Sequence, residues 1–173
     1  MKYITEKLRL CEYDCKFEDS LNSTLHKIIC DLPDAQNRRT SLQSKMTSWN
    51  TDVKEFKTVI DVVSQLLHSD FLEFKNEKIK CSEIWGALYG KEDHATAHNH
   101  EPSHFSFVYY VNAPKNSAPL VFVNSGYEVT PYPGKLVIFD SKLYHKVPKN
   151  KSENRSLIAG NFVYESSSGV YGL

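Results

Sequence analysis

The segment that decides the fold reads His98-Asn-His-Glu-Pro-Ser-His-Phe-Ser-Phe-Val-Tyr-Tyr-Val111. From His104 to Asn112 it is dense in aromatic and β-branched residues, which predicts a strand. Its first half carries His98, His100 and His104, with His94 just upstream. Imidazoles running straight into an apolar strand put candidate ligands at a strand end.

Working outward, further strands are expected at Lys80–Tyr89, Leu120–Asn124, Lys135–Phe139 and Arg155–Tyr164. Pro114, Pro119, Gly126, Pro131, Pro133 and Gly134 punctuate them. The region before about residue 75 reads differently. After a short strand candidate at Tyr3–Leu10, Leu21, Leu25, Ile28, Ile29 and Leu32 have helical spacing, and Pro33 ends the run. Asp34–Thr51 is polar and reads as irregular. A second helix carries the stripe Phe56, Val59, Ile60, Val63, Leu66 and Leu67, with Asp52 and Glu55 placed for a capping box. The expectation is a mainly β, α+β domain spanning residues 1–173. Residues 1–75 form helical support, 79–164 a sandwich or jelly-roll core, and 165–173 a tail.

Composition narrows the function classes. Lysine plus arginine balances aspartate plus glutamate, so no basic nucleic-acid footprint is present. Cys11, Cys15, Cys30 and Cys81 lack the paired spacing of a zinc ribbon and read as reduced thiols. The N-terminal residues contain no apolar signal region and no stretch has membrane-spanning length, so a soluble cytoplasmic protein is expected.

The chemistry concentrates in two places. His145 closes the segment Gly134-Lys-Leu-Val-Ile-Phe-Asp-Ser-Lys-Leu-Tyr-His145, and Arg155 opens the next strand. Imidazole suits Fe(II), and a facial set of two His and one carboxylate leaves three positions open. The keto-acid end of 2-oxoglutarate fills two such positions and oxygen the third. The far carboxylate then needs a cation, and Arg supplies a planar, always-charged fork. A His pair at a strand, a long β excursion, a lone His and an Arg on the following strand is the order this requires, and the chain has it.

These segments resemble the two metal motifs of the small 2-oxoglutarate/Fe(II)-dependent oxygenases, over about residues 83–164. The His145-to-Arg155 spacing is also similar to that of the aspartyl/asparaginyl β-hydroxylases, and Met46-Thr-Ser-Trp49 looks like part of the former family's less distinctive helical half. The resemblance implies a double-stranded β-helix, Fe(II) on His98 and His145, and 2-oxoglutarate clamped by Arg155. It also implies hydroxylation of a second substrate with release of succinate and CO2, supported by ascorbate. Members of this size are often phage-encoded, which implies a host cytoplasm. The chain departs from the pattern at Glu101 and Phe107, where the family carries Pro and Gly. Leu157 stands where relatives carry a Ser two residues after the Arg, and His100 where a carboxylate ligand is usual. Either His100 is the third ligand or water fills the position, as in the β-hydroxylases.

Weaker candidates surround this set. Tyr109 falls where the β-hydroxylases place a polar co-substrate contact. Alternation from Arg155 brings Asn161 to the same strand face, placed to bond co-substrate or substrate. Trp85, Ala87 and Tyr89 share a face and are placed to floor a pocket or pack a core. Asp93 and Glu101 flank the His cluster as alternative carboxylates, and His94 and His104 read as solvated or packing residues. Two rivals stand beside the oxygenase: a cupin-like metal protein that does not use 2-oxoglutarate, and an inactive binding module. The second substrate, a small molecule or a peptide side chain, and the oligomeric state stay open.

Overall fold

The computed structural model describes residues 7–17, 19–35, 40–72 and 77–165. In chain order the elements are β1 (Leu10–Asp14), α1 (Asp19–Asp31), β2 (Leu42–Gln43), β3 (Lys45–Met46) and α2 (Phe56–Leu66). One π-turn over Leu67–Phe71 extends α2. Then follow β4 (Ile79–Tyr89), β5 (His94–His98), β6 (Phe105–Asn112), β7 (Leu120–Phe122), β8 (Tyr127–Val129), β9 (Lys135–Asp140), β10 (His145–Val147) and β11 (Arg155–Tyr164).

The strands form two antiparallel sheets. One has the order β1-β9-β6-β11-β4-β3, the other β2-β5-β10-β7-β8. This is a double-stranded β-helix. Successive strands alternate between the sheets, so most hairpins of the sequence become crossovers of the sandwich.

The six-stranded sheet is covered on both faces. Leu25 and Ile29 of α1 and Phe56, Val59 and Val63 of α2 pack on one face, against Phe107, Tyr109, Ile138 and Ile158. The opposite face meets the smaller sheet through Trp85, Val108, Tyr110, Leu120, Phe122, Phe139 and Leu157. That double coverage explains why β6 is apolar along almost its whole length and shows no polar alternation.

Several expectations shift. Residues 3–6 of the Tyr3–Leu10 candidate lie outside the described residues, and the first described strand begins only at Leu10. The Asp52–Glu55 capping box does not form. Glu55 is itself helical and caps without a side-chain hydrogen bond, so the amphipathic face of α2 holds the helix by packing. The polar stretch after Pro33 contributes β2 and β3, each two residues long, which join the edges of the two sheets. Strands β5, β8 and β10 also escaped the sequence reading, because three to five residues are too few to show a period. The tail from 166 onward is outside the described residues. No helix among the described residues is long and apolar enough to cross a membrane.

Gly160 shows how tightly the large sheet is built. A Cβ there would lie 2.5 Å from the Glu83 carbonyl oxygen and 2.7 Å from the Phe107 ring. Both neighbours belong to paired strands and cannot withdraw without breaking the ladder. Gly160→Ala is therefore expected to destabilise the fold by about 1–3 kcal/mol. Urea denaturation should show a lower midpoint with an unchanged slope.

Candidate functional site

His98 ends β5 and His145 begins β10, and the two are direct antiparallel partners in the smaller sheet. Their ring centroids are 4.4 Å apart. His100 lies two residues beyond β5. Its backbone N–H donates to the Ser141 carbonyl at 2.9 Å, which turns the loop back over the strand ends. The His100 ring then sits 5.0 Å from each of the other two. One ring nitrogen from each of the three lies within 4.8 Å of the others. Among the described residues, no carboxylate joins this group.

The tautomers suit a cation. His98 Nδ1 is 2.7 Å from the Thr96 carbonyl and His145 Nδ1 is 2.9 Å from the Leu143 carbonyl. A carbonyl only accepts, so each Nδ1 carries the proton and each Nε2 keeps its lone pair. Burial, reinforced by the neighbouring imidazoles, pushes the His100 pKa down to about 3. The same two causes bring His145 to about 4, and burial lowers His98. Near neutral pH all three rings are unprotonated and available as ligands.

Arg155 provides the second half of the site. It is 0 % exposed, and none of its three side-chain nitrogens has a hydrogen-bond partner. Its guanidinium lies over the rings of Tyr89, at 4.4 Å, and Tyr110, at 5.3 Å. Burial raises the pKa of both phenols, Tyr89 to about 12, although the arginine charge opposes the rise. Both are therefore neutral and offer no counter-charge. The buried Tyr110 hydroxyl also lacks a partner. A buried unpaired cation beside an unsatisfied hydroxyl is costly unless an anion completes it.

One cavity of about 210 Å³ joins the two halves. The three His rings and Arg155 line it, together with Trp85, Ala87 and Tyr89 of β4, the face singled out from the sequence. The site thus offers a cluster of neutral nitrogen donors, a cationic floor and apolar walls. That combination can hold a metal ion and a bifunctional acid at once.

Two cofactor contacts expected from the sequence need correction. Tyr109 faces away from the cavity. It is buried under α1, where its hydroxyl donates to Asn22 Oδ1 at 2.6 Å. The next residue, Tyr110, takes the inward position. Asn161 does lie on the Arg155 face of β11, but its side chain is committed elsewhere. Its Oδ1 accepts from Ser106 at 2.8 Å and its Nδ2 donates to Glu83 at 2.5 Å, and it does not line the cavity. Asp93 accepts from the Gly90 N–H and Glu101 from Asn99, so neither carboxylate faces the imidazoles. His94 and His104 stand apart from the cluster, His104 against Tyr164.

Sequence reasoning assigned no role to Tyr110 or Trp49. Trp49 packs edge-to-face on Trp85, with centroids 4.6 Å apart, and lines the cavity.

No protein-family model matches the sequence, and no curated protein matches it significantly. Solved structures do resemble the fold. A Pseudomonas putida prolyl-4-hydroxylase is 20% identical with a TM-score of 0.65, covering 90% of this chain and 92% of that one. The viral collagen prolyl hydroxylase of Paramecium bursaria Chlorella virus-1, solved with 2-oxoglutarate, is 12% identical with a TM-score of 0.66, covering 88% and 94%. The fold is that of the 2-oxoglutarate/Fe(II) oxygenases. HygX of Streptomyces hygroscopicus, solved with nickel and 2-oxoglutarate, is similar again, at 11% identity, a TM-score of 0.65 and coverage of 89% and 82%.

Proposed function

We propose that the protein is an Fe(II)- and 2-oxoglutarate-dependent dioxygenase that hydroxylates a second substrate. The observation that carries this reading is Arg155, a fully buried cation without a hydrogen-bond partner, facing the same cavity as three neutral imidazoles. A metal site alone does not need it. A cupin-like protein would bury that charge at a cost and gain nothing, whereas a dicarboxylic co-substrate completes it. The resemblance of the fold to oxygenases solved with 2-oxoglutarate supports the same conclusion.

In this reading His98, His145 and His100 hold Fe(II) through their ring nitrogens, and Arg155 and the Tyr110 hydroxyl receive the far carboxylate of 2-oxoglutarate. When bound, iron and 2-oxoglutarate with oxygen supply oxidative decarboxylation to succinate and CO2, coupled to hydroxylation of a C–H bond. The chain's own contribution is positional. Thr96 and Leu143 fix two imidazoles in the ligating tautomer, and Arg155 sets the depth of the co-substrate. Ala87, Val108, Leu157 and Ala159 exclude water from the reacting end. Succinate release from 2-oxoglutarate in the presence of Fe(II), ascorbate and oxygen tests the reading. A purified protein that binds iron but never forms succinate would instead be the cupin-like alternative, and one that binds neither would be an inactive module.

His100 is the third ligand in this account, and its variants should separate it from a water-filled position. His100→Ala is expected to weaken Fe(II) binding by at least about tenfold, the loss found even for an outer partner of a ligand. His100→Asp should hold iron as well as the wild type or better, since it restores an anionic donor. The low pKa values add a condition. A His whose folded pKa is depressed below its unfolded value of about 6.5 keeps full stability above that value and loses it as pH falls. The metal-free protein should therefore weaken from about pH 6.5 toward pH 4, while iron affinity stays nearly flat between about pH 7 and 8. Anaerobic Fe(II) titration across that range checks the affinity, and urea denaturation of the metal-free protein between about pH 7 and pH 4 checks the stability. Wild-type affinity in His100→Ala would remove His100 from the ligand set.

A further inference from the structure

We propose that Trp49 is the seat for the second substrate, and that the group placed there is an uncharged apolar ring or side chain. This deepens the oxygenase reading and rests on it for the word substrate. The binding claim stands on the cavity alone.

The cavity has two ends of different chemistry. Arg155 closes the buried end. The lining residues Thr40, Ser41, Leu42, Trp49 and Asn99 are half-buried or exposed, and so mark its outer end. Among the described residues lining the cavity, Arg155 carries the only fixed charge, and no Asp, Glu or Lys side chain lines the outer end. A charged group entering at the outer end would shed water and find no counter-ion there, which is unfavourable. An apolar group loses nothing by the same transfer.

Trp49 is unusual in being 38 % exposed while its loop is firmly built. Thr47, 2 % exposed, exchanges two hydrogen bonds with Gly86 of β4: its N–H donates to the Gly86 carbonyl at 2.9 Å, and its Oγ1 accepts from the Gly86 N–H at 3.0 Å. The Thr51 hydroxyl donates back to Thr47 Oγ1 at 2.9 Å, closing the loop around Trp49. Trp85 then holds the Trp49 ring edge-to-face. Trp85 in turn lies 5.9 Å from His100. A solvent-facing indole fixed by backbone and by a second indole is a pre-organised stacking surface, with little conformational freedom left to lose on binding. Its place in the wall puts a stacked ring next to the imidazole cluster.

Trp49 and Trp85 are the only two tryptophans in the chain, so intrinsic fluorescence reports this cavity directly. The full-length protein, with 2-oxoglutarate present, is titrated with benzamide and with benzoate, a neutral and an anionic form of the same ring. The neutral ring is expected to change the emission saturably and to bind about tenfold or more tighter than the anion. Trp49→Ala should weaken benzamide by about tenfold, the scale of one aromatic pair, while Trp49→Phe retains most of the affinity. Circular dichroism melting confirms that both variants are folded. The same titration with a capped peptide carrying one phenylalanine identifies the source: tighter binding than benzamide indicates a peptide substrate, weaker binding a free small molecule. Either result requires the neutral seat.

Arg155→Leu, titrated without 2-oxoglutarate, removes the floor cation that would attract benzoate. Retained benzamide binding there, with 2-oxoglutarate binding lost, is the expected pattern. If 2-oxoglutarate still binds while benzamide does too, the co-substrate assignment fails and the seat stands. Equal affinity for benzoate and benzamide in that variant, no binding of the neutral ring, or an unchanged Trp49→Ala overturns the seat.

Discussion

Replacing Arg155 with Leu should abolish productive 2-oxoglutarate binding while leaving the iron site intact. Removing one partner of a buried charge pair costs about 3–5 kcal/mol, so the dissociation constant should rise by a few hundredfold or more. Titrating the charge-transfer band of the anaerobic Fe(II)–2-oxoglutarate complex measures it. The structure adds a second expectation of opposite sign. Without co-substrate, the guanidinium has only the faces of Tyr89 and Tyr110 for company. Such cation–π contacts are worth about 2 kcal/mol when desolvated, less than a buried unpaired charge requires. The variant should therefore be at least as stable as the wild type in the absence of 2-oxoglutarate, and 2-oxoglutarate should no longer raise its melting temperature. A variant that melts well below the wild type and still binds 2-oxoglutarate would make Arg155 a structural residue.

The second large effect is expected at the paired imidazoles. His98→Ala and His145→Ala should each lose iron and turnover. Structural zinc sites gain about 10–16 kcal/mol from four ligands, which sets the scale of one ligand near 3 kcal/mol and the loss of affinity at about two orders of magnitude. Because the two residues sit on adjacent strands, each variant leaves the other imidazole in place, so the fold should persist with the metal gone. Elemental analysis of the purified variants and succinate release check this. Full activity in either would sink the metal assignment.

Much of this was legible because the chemistry lies at strand ends. The order of His98, His145 and Arg155 along the chain survives folding as proximity, since β5, β10 and β11 all deliver those residues to one cavity. What failed was phase. In β6 the run Phe105, Phe107, Tyr109 and Val111 faces the helices, while Val108 and Tyr110 face the cavity, and both sets are apolar. A strand buried on both sides marks its inner face only weakly, here by Ser106 alone among its buried residues, and a shift of one residue exchanges Tyr109 for Tyr110. Asn161 failed for another reason. The alternation put it on the proper face, but Ser106 of β6, itself bonded to Ser141, and Glu83 of β4 take up its amide, and only the fold brings them to it. Trp49 was illegible because its loop is held by Gly86, which lies far along the chain.

The direct pairing of His98 with His145 has a consequence for the choice of metal. Neighbouring strands stand about 4.8 Å apart whatever lies between their side chains, so the sheet fixes the gap between the two backbones, and the Thr96 and Leu143 carbonyls hold the two rings upon them. A chelate whose jaws are locked by backbone hydrogen bonds cannot tighten on one divalent ion and refuse another of similar radius. Intrinsic affinity then follows the ordinary ranking, in which nickel, copper and zinc all outcompete ferrous iron. If these imidazoles hold iron as proposed, a metal-replete buffer is expected to load nickel, copper or zinc in its place.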